Sequence, residues 1–221
     1  MTGALASSRL ARLAQQSGGE RAPALERCDL CGTPIGPEHR HLLDLATREP
    51  VCTCRACALL FDRDGAGGRR MRAIPDRRLR LHDLELGDPL WEELRLPVDI
   101  AFLVRTDDER GAQAFYPSPM GATESLLRLE AWEDLVAANP ILATLEPDVE
   151  ALLVDRARGA RRHWLVPIDE CFTLVGLIRT RWRGLTGGKE VWQELARFFD
   201  GLDERSRPAS RNDAKEPTWR K

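Results

Sequence analysis

Residues 28–57 read CDLCGTPIGPEHRHLLDLATREPVCTCRAC, and this stretch holds five of the six cysteines in the chain. Cys28 and Cys31 form one CxxC pair, Cys54 and Cys57 a second, and residues 32–53 fit one excursion of the chain between them. A CxxC pair at the tip of a hairpin aims two thiolates at one ion. Two such knuckles supply a tetrahedral shell of four sulfurs, the arrangement of a zinc ribbon. The spacing therefore predicts a zinc-ribbon-like module with Zn2+ held by Cys28, Cys31, Cys54 and Cys57.

The same four thiolates suit a single iron ion, which is the alternative occupant. A rubredoxin-like iron site normally carries glycine after its last cysteine, whereas Ala58 follows Cys57 here. Cys52 complicates the ligand count. In an extended segment Cys52 and Cys54 face the same way, so Cys52 stands beside the metal, replaces a ligand, or raises the thiolate count toward an iron-sulfur cluster. The preferred reading is a cysteine next to a closed site. His39 and His41 also have ligand chemistry, but four cysteines already complete a zinc shell. They are read as supporting or surface groups.

The chain has 221 residues, with 33 Lys and Arg against 35 Asp and Glu and a net charge of -2 at pH 7. That balance gives no overall attraction to nucleic acid or to an anionic membrane. The first 20 residues lack the continuous apolar run of a signal peptide or membrane span, so a cytoplasmic location without membrane insertion is expected. In that reducing compartment paired cysteines read as metal ligands and not as a disulfide framework.

A weak helical pattern over residues 4–16 ends at Ser17-Gly18-Gly19, which predicts an N-terminal helix and linker over 1–24. The metal module is expected over 25–62, with strands at 41–45 and around Val51. Gly65-Ala66-Gly67-Gly68 reads as a joint. An α+β domain is expected over 69–202. It would open with a strand at 70–74 and a short helix capped by Asp88 with Pro89 in its first turn. DIAFLVR (99–105) and residues 113–116 predict one hairpin, EALLVD (150–155) and RHWLV (162–166) another, with a helix at 132–138 between them. Apolar residues at helical spacing predict two closing helices, from 167 through Trp182 and from Lys189 to Leu202. The expected architecture is thus a small antiparallel sheet with a C-terminal helical hairpin. Polar, proline-bearing residues 203–221 read as a disordered tail.

Other chemistry-bearing residues have blander explanations. Cys171 lies within an amphipathic helix pattern and reads as a buried apolar thiol. His82 and His163 stand alone in sequence. Arg69, Arg70, Arg72, Arg77, Arg78 and Arg80 suggest a phosphate-binding strip, yet Asp76, Asp83, Glu85 and Asp88 interrupt or follow them, so a solvated face is preferred. Residues 184–189 (GLTGGK) lack the spacing of a phosphate loop and fall between helices, where helix termination accounts for the glycines.

The order CDLCG, PEHRHLLDL and CTCRACALLFD, followed far downstream by VPIDECFTLVGLIRTRWRGLTGGKEVW, resembles an uncharacterised bacterial family. That family is associated with gene clusters for uptake nickel-iron hydrogenases in actinobacteria and relatives. The resemblance covers residues 25–202 and implies a setting, hydrogenase assembly or operation, with a hydrogenase subunit or maturation factor as partner. It supplies no mechanism and carries over only the cysteine positions as metal ligands. The expected function is a non-enzymatic zinc-binding accessory protein acting through protein contacts. The alternative is an electron-transfer or iron-delivery protein with a four-cysteine iron or iron-sulfur site. An enzyme would require His82, His163 or Cys171 to converge with carboxylates in a pocket.

Overall fold

The computed structural model describes residues 26–62, 70–107, 111–125, 129–184, 187–210 and 212–214. The expected N-terminal helix and the glycine joint lie outside the described residues. The described chain divides into a small unit ending at Asp76 and a large unit beginning at Arg77. Among the described residues no helix is long and apolar enough to cross a membrane.

The small unit opens with β1 (Glu26–Arg27) and β2 (Pro34–Ile35), which pair antiparallel. β3 (Arg40–Asp44) and β4 (Glu49–Thr53) form the expected hairpin, and α1 (Arg55–Phe61) follows. Leu42, Leu43 and Val51 are buried on this hairpin. Its turn is tied by Asp44, whose Oδ1 accepts the Ala46 N–H at 2.9 Å. The same carboxylate takes three bonds from the Arg70 guanidinium, one at 2.6 Å and two at 3.1 Å. These bonds hold the Asp44 carboxyl below the usual carboxylate range.

β5 (Met71–Ala73) pairs with the other edge of β3. The strand expected to open the α+β domain therefore closes the small unit instead, and the boundary moves to residue 76. Its anchors are local. Arg70 binds Asp44 immediately before β5, and Asp62, just past α1, accepts the Ala73 N–H at 2.8 Å.

The large unit is α+β, as expected, but its sheet has seven strands and is not small. In chain order these are β6 (Leu79–Arg80), β7 (Ile100–Arg105), β8 (Ala112–Ser118), β9 (Gly121–Ser125), β10 (Glu150–Asp155), β11 (Arg162–Pro167) and β12 (Arg207–Pro208). Their spatial order is β12-β6-β11-β10-β7-β8-β9. All neighbours run antiparallel except β12 and β6. Both predicted hairpins are present, as β7–β8 and β10–β11. β10 is buried along its whole length, which explains its nearly continuous apolar sequence.

Four helices flank this sheet: α2 (Asp88–Glu93), α3 (Leu129–Ala138), α4 (Ile168–Arg181) and α5 (Gly188–Arg205). Alternation along the strands assigns the two faces. Leu103, Leu152 and Leu165 stand opposite one another across three strands and pack in one cluster with Trp132 and Leu135 of α3. Phe102, Leu153 and Trp164 alternate to the other face, where Trp164 stacks on Phe199 of α5 at 5.2 Å between ring centroids. α4 crosses β8 to β11 and packs against α5, which gives the expected helical pair.

Gly187 between those helices has φ 80°, and a Cβ there would meet Val191 Cγ1 at 2.7 Å and the Trp182 ring at 3.0 Å. Only glycine fits. For α2, Gly87 is the cap and Asp88 is already helical. Order continues past residue 203, where a disordered tail is expected. α5 runs to Arg205, and Arg207 and Pro208 pair with Leu79 and Arg80. Two-residue strands such as β6 and β12 carry no periodicity of their own.

Of the arginine run, Arg70, Arg77, Arg78 and Arg80 pair with carboxylates. Arg77 grips Glu150, whose side chain is 2% exposed, through Nε at 2.8 Å and a second guanidinium bond, and also donates to the Thr144 carbonyl. Arg78 binds Glu170 at 2.7 Å, and Arg80 binds Asp203 at 2.9 Å while lying over the Trp164 ring. These pairings engage the cations internally and favour the solvated, structural face over a phosphate strip. Arg77→Ala leaves Glu150 as a buried charge without its counterion. A loss of about 3–5 kcal/mol is expected from urea unfolding, and a loss below about 1 kcal/mol would show that the pair is dispensable.

Candidate metal centre

The first CxxC pair lies on the turn between β1 and β2. The Cys28 N–H donates to the Thr33 carbonyl, and the Gly32 N–H donates to the Cys28 carbonyl, both at 2.8 Å. Gly32 closes this turn at φ 74°, a left-handed conformation suited to glycine. The second pair is not on a hairpin, contrary to expectation. Cys54 caps α1, and its sulfur accepts the Cys57 N–H at 3.4 Å. A thiolate in this position meets the partial positive charge of the first helical turn.

Asp29 brings the pairs together. Its N–H donates to the Cys52 carbonyl at 2.8 Å, and its Oδ2 accepts the Cys52 N–H at 2.9 Å. This two-point clamp fastens the first turn to β4, whose next residues lead to Cys54. Its only trace in the sequence is the aspartate inside CDLC; the contact itself depends on the tertiary register.

The sulfurs of Cys28, Cys31, Cys54 and Cys57 all lie within 4.8 Å of one another. The Cys31 and Cys54 sulfurs are 3.7 Å apart. Four sulfurs bound to one ion at about 2.3 Å would be separated by about 3.8 Å, so the spacing fits a tetrahedral shell. Four cysteines this close could bind a metal ion. Cys28 and Cys57 are buried, Cys54 is half-buried and Cys31 is exposed.

Their electrostatics are uneven. Hydrogen bonds from Thr33, then from the Cys28 and Cys57 thiols, lower Cys31 to about 6. Burial, followed by the neighbouring sulfurs, pushes Cys57 up to about 12. Within the cluster, then, the Cys31 thiol is eased toward ionisation and the Cys57 thiol is held back. A cation removes that conflict, and its binding displaces the remaining thiol protons.

Cys52 falls outside this shell. Its Sγ gathers with ligand atoms of His39 and His41, all within 4.8 Å of one another. Burial opposes ionisation of Cys52, but the two neighbouring imidazoles outweigh it and lower the thiol. The other candidates do not join either group. Cys171 is fully buried, and burial raises its thiol well above the ordinary range. His163 is buried on β11, and desolvation, followed by Arg80, Arg156 and Arg161, lowers it to about 4. His82 is exposed. Among the described residues, the four cysteines and the His39–His41–Cys52 trio are the clusters of potential metal ligands.

A model for a family of unknown function, DUF5947, matches residues 27–206. The chain belongs to that family. No curated protein and no solved structure matches it. The DUF5947 match spans both units and includes all six cysteines.

Among the described residues, the apolar cluster beside the sulfurs has Cys28, Ile35 and Cys57 as its buried members, so little core other than the sulfurs themselves lies there. A bound ion would replace core there. Hydrogen exchange on Cys28→Ser is expected to show roughly tenfold or greater loss of protection in β3 and β4, with β7 and β10 unchanged. Unchanged protection in β3 and β4 would remove the metal from the folding of this unit.

Proposed function

We propose that the chain is a non-enzymatic, cytoplasmic zinc-binding accessory protein that acts through protein contacts in the assembly or operation of a nickel-iron hydrogenase. The observation that carries the metal reading is the convergence of Cys28, Cys31, Cys54 and Cys57 at tetrahedral spacing. Zn2+ is the preferred ion because it has no redox chemistry of its own and closes a four-thiolate shell. The hydrogenase setting rests on the sequence resemblance around the cysteines and the helical pair. Contact through the metal unit is supported by α1, whose Leu59 and Leu60 are 75% and 56% exposed. Adjacent exposed leucines on a short helix suit a recognition surface.

The non-enzymatic reading is supported by the separate fates of Cys171, His163 and His82. The first is buried with its thiol raised well above the ordinary range, the second is buried with its imidazole lowered to about 4, and the third is exposed. The electron-transfer or iron-delivery alternative draws on one observation, the exposure of Cys31, since a ligand at the surface shortens the path to a redox partner.

Mild affinity isolation from cells that carry the hydrogenase genes tests both parts of the proposal. A colourless chain containing zinc, recovered with a hydrogenase subunit or maturation factor, is the expected result. Visible thiolate-to-iron absorption would favour the redox alternative. A zinc-loaded chain that retains no hydrogenase component would contradict the assigned setting.

A further inference from the structure

We propose that His39, His41 and Cys52 form a second, separate metal site for a divalent first-row transition ion such as Zn2+, bound through two imidazole nitrogens and one thiolate. A fourth position is left for water or another small donor.

The strand register brings these residues together. His41 stands directly opposite Cys52 in the β3–β4 pair. His39 precedes β3 by one residue and lies two positions from His41, so alternation puts both imidazoles on one side of the sheet. The rings of His39 and His41 meet edge to face at 4.7 Å between centroids. A ligand atom from each residue lies within 4.8 Å of the other two. Bonds of about 2.0–2.1 Å to nitrogen and 2.3 Å to sulfur would set these atoms roughly 3.4–3.6 Å apart, requiring an inward shift of about 1 Å or less per side chain.

The orientation of His39 suits coordination. Its side chain is 5% exposed, its Nδ1 lies 2.9 Å from the Gly36 carbonyl, and Glu26 Oε2 is 3.7 Å from the same nitrogen. A carbonyl only accepts, so Nδ1 carries the proton and Nε2 presents its lone pair. That Nε2 is buried and makes no hydrogen bond among the described residues. A buried nitrogen without a donor is costly, whereas a metal ion would use it, and the Nδ1 contacts resemble the supporting shell of a metal-ligating histidine. His41 Nε2 is buried as well. His39 also lines a surface cleft with Glu38, Arg40 and Arg55, which gives a small donor a route toward this side of the site.

Three protein ligands distinguish this site from the four-sulfur shell. The latter is closed, whereas a three-ligand transition-metal site retains a position for exchange. The site can bind independently of the proposed hydrogenase setting.

The test titrates the full, reduced, metal-free chain with Co2+ and follows stoichiometry and ligand-field absorption. Two ions per chain are expected, one with an all-sulfur spectrum and one with mixed nitrogen and sulfur ligation. The double variant His39→Ala with His41→Ala and the single variant Cys52→Ala are each expected to lose the mixed spectrum and retain the all-sulfur one. Cys52→Ala provides the check if loss of both histidines disrupts the hairpin. One ion with an all-sulfur spectrum in the wild type, or persistence of the mixed spectrum in a folded variant, overturns the proposal. A wild-type chain that binds only the mixed-ligand ion supports this site and counts against the four-thiolate one.

Discussion

Four cysteine sulfurs gathered within 4.8 Å cannot all become anions without a cation between them, and the small unit is arranged around that conflict. The opposite shifts of Cys31, lowered to about 6, and Cys57, raised to about 12, express it directly. One thiolate is stabilised by neighbouring donors, while a buried neighbour is kept protonated. The backbone bonds that enforce this crowding are specific: Asp29 clamps Cys52, Gly32 closes the first turn, and Cys54 caps α1. A bound cation would let the remaining thiols ionise and would turn mutual repulsion into a core.

The large unit obtains order by other means. Apolar residues fill both faces of its seven-stranded sheet, and arginine-carboxylate pairs hold the margins. Trp164 joins these two modes. Its ring stacks on Phe199 and lies beneath Arg80, while its Nε1 donates to Asp203, the carboxylate that also receives Arg80. This use of arginines for internal pairing fits the near-neutral net charge and leaves them poorly suited to phosphate recognition.

Much of the fold was legible because its signals are local. The apolar runs of β7, β10 and β11 and the helical spacing of α4 and α5 identify those elements without tertiary information. The CxxC pairs likewise identify the sulfur cluster, although the second pair caps a helix and does not form a hairpin tip. β5 was misassigned because three residues do not reveal which sheet they join; the Asp44–Arg70 and Asp62–Ala73 contacts decide it. The trio of His39, His41 and Cys52 has a signal that depends on strand register. Strands at 40–44 and 49–53 joined by four residues set His41 against Cys52. Reading Cys52 along its own strand toward Cys54 does not reveal that cross-strand relation.

The most direct test is residue-resolved alkylation of the full chain, isolated from cells under reducing conditions and read by peptide mass spectrometry. A metal-centred small unit predicts that Cys31, despite its solvent exposure, is protected together with Cys28, Cys54 and Cys57. All four should become reactive together when a chelator removes the ion. Rapid alkylation of Cys31 in the untreated chain, with the β3–β4 hairpin still folded and no metal released, would contradict the account.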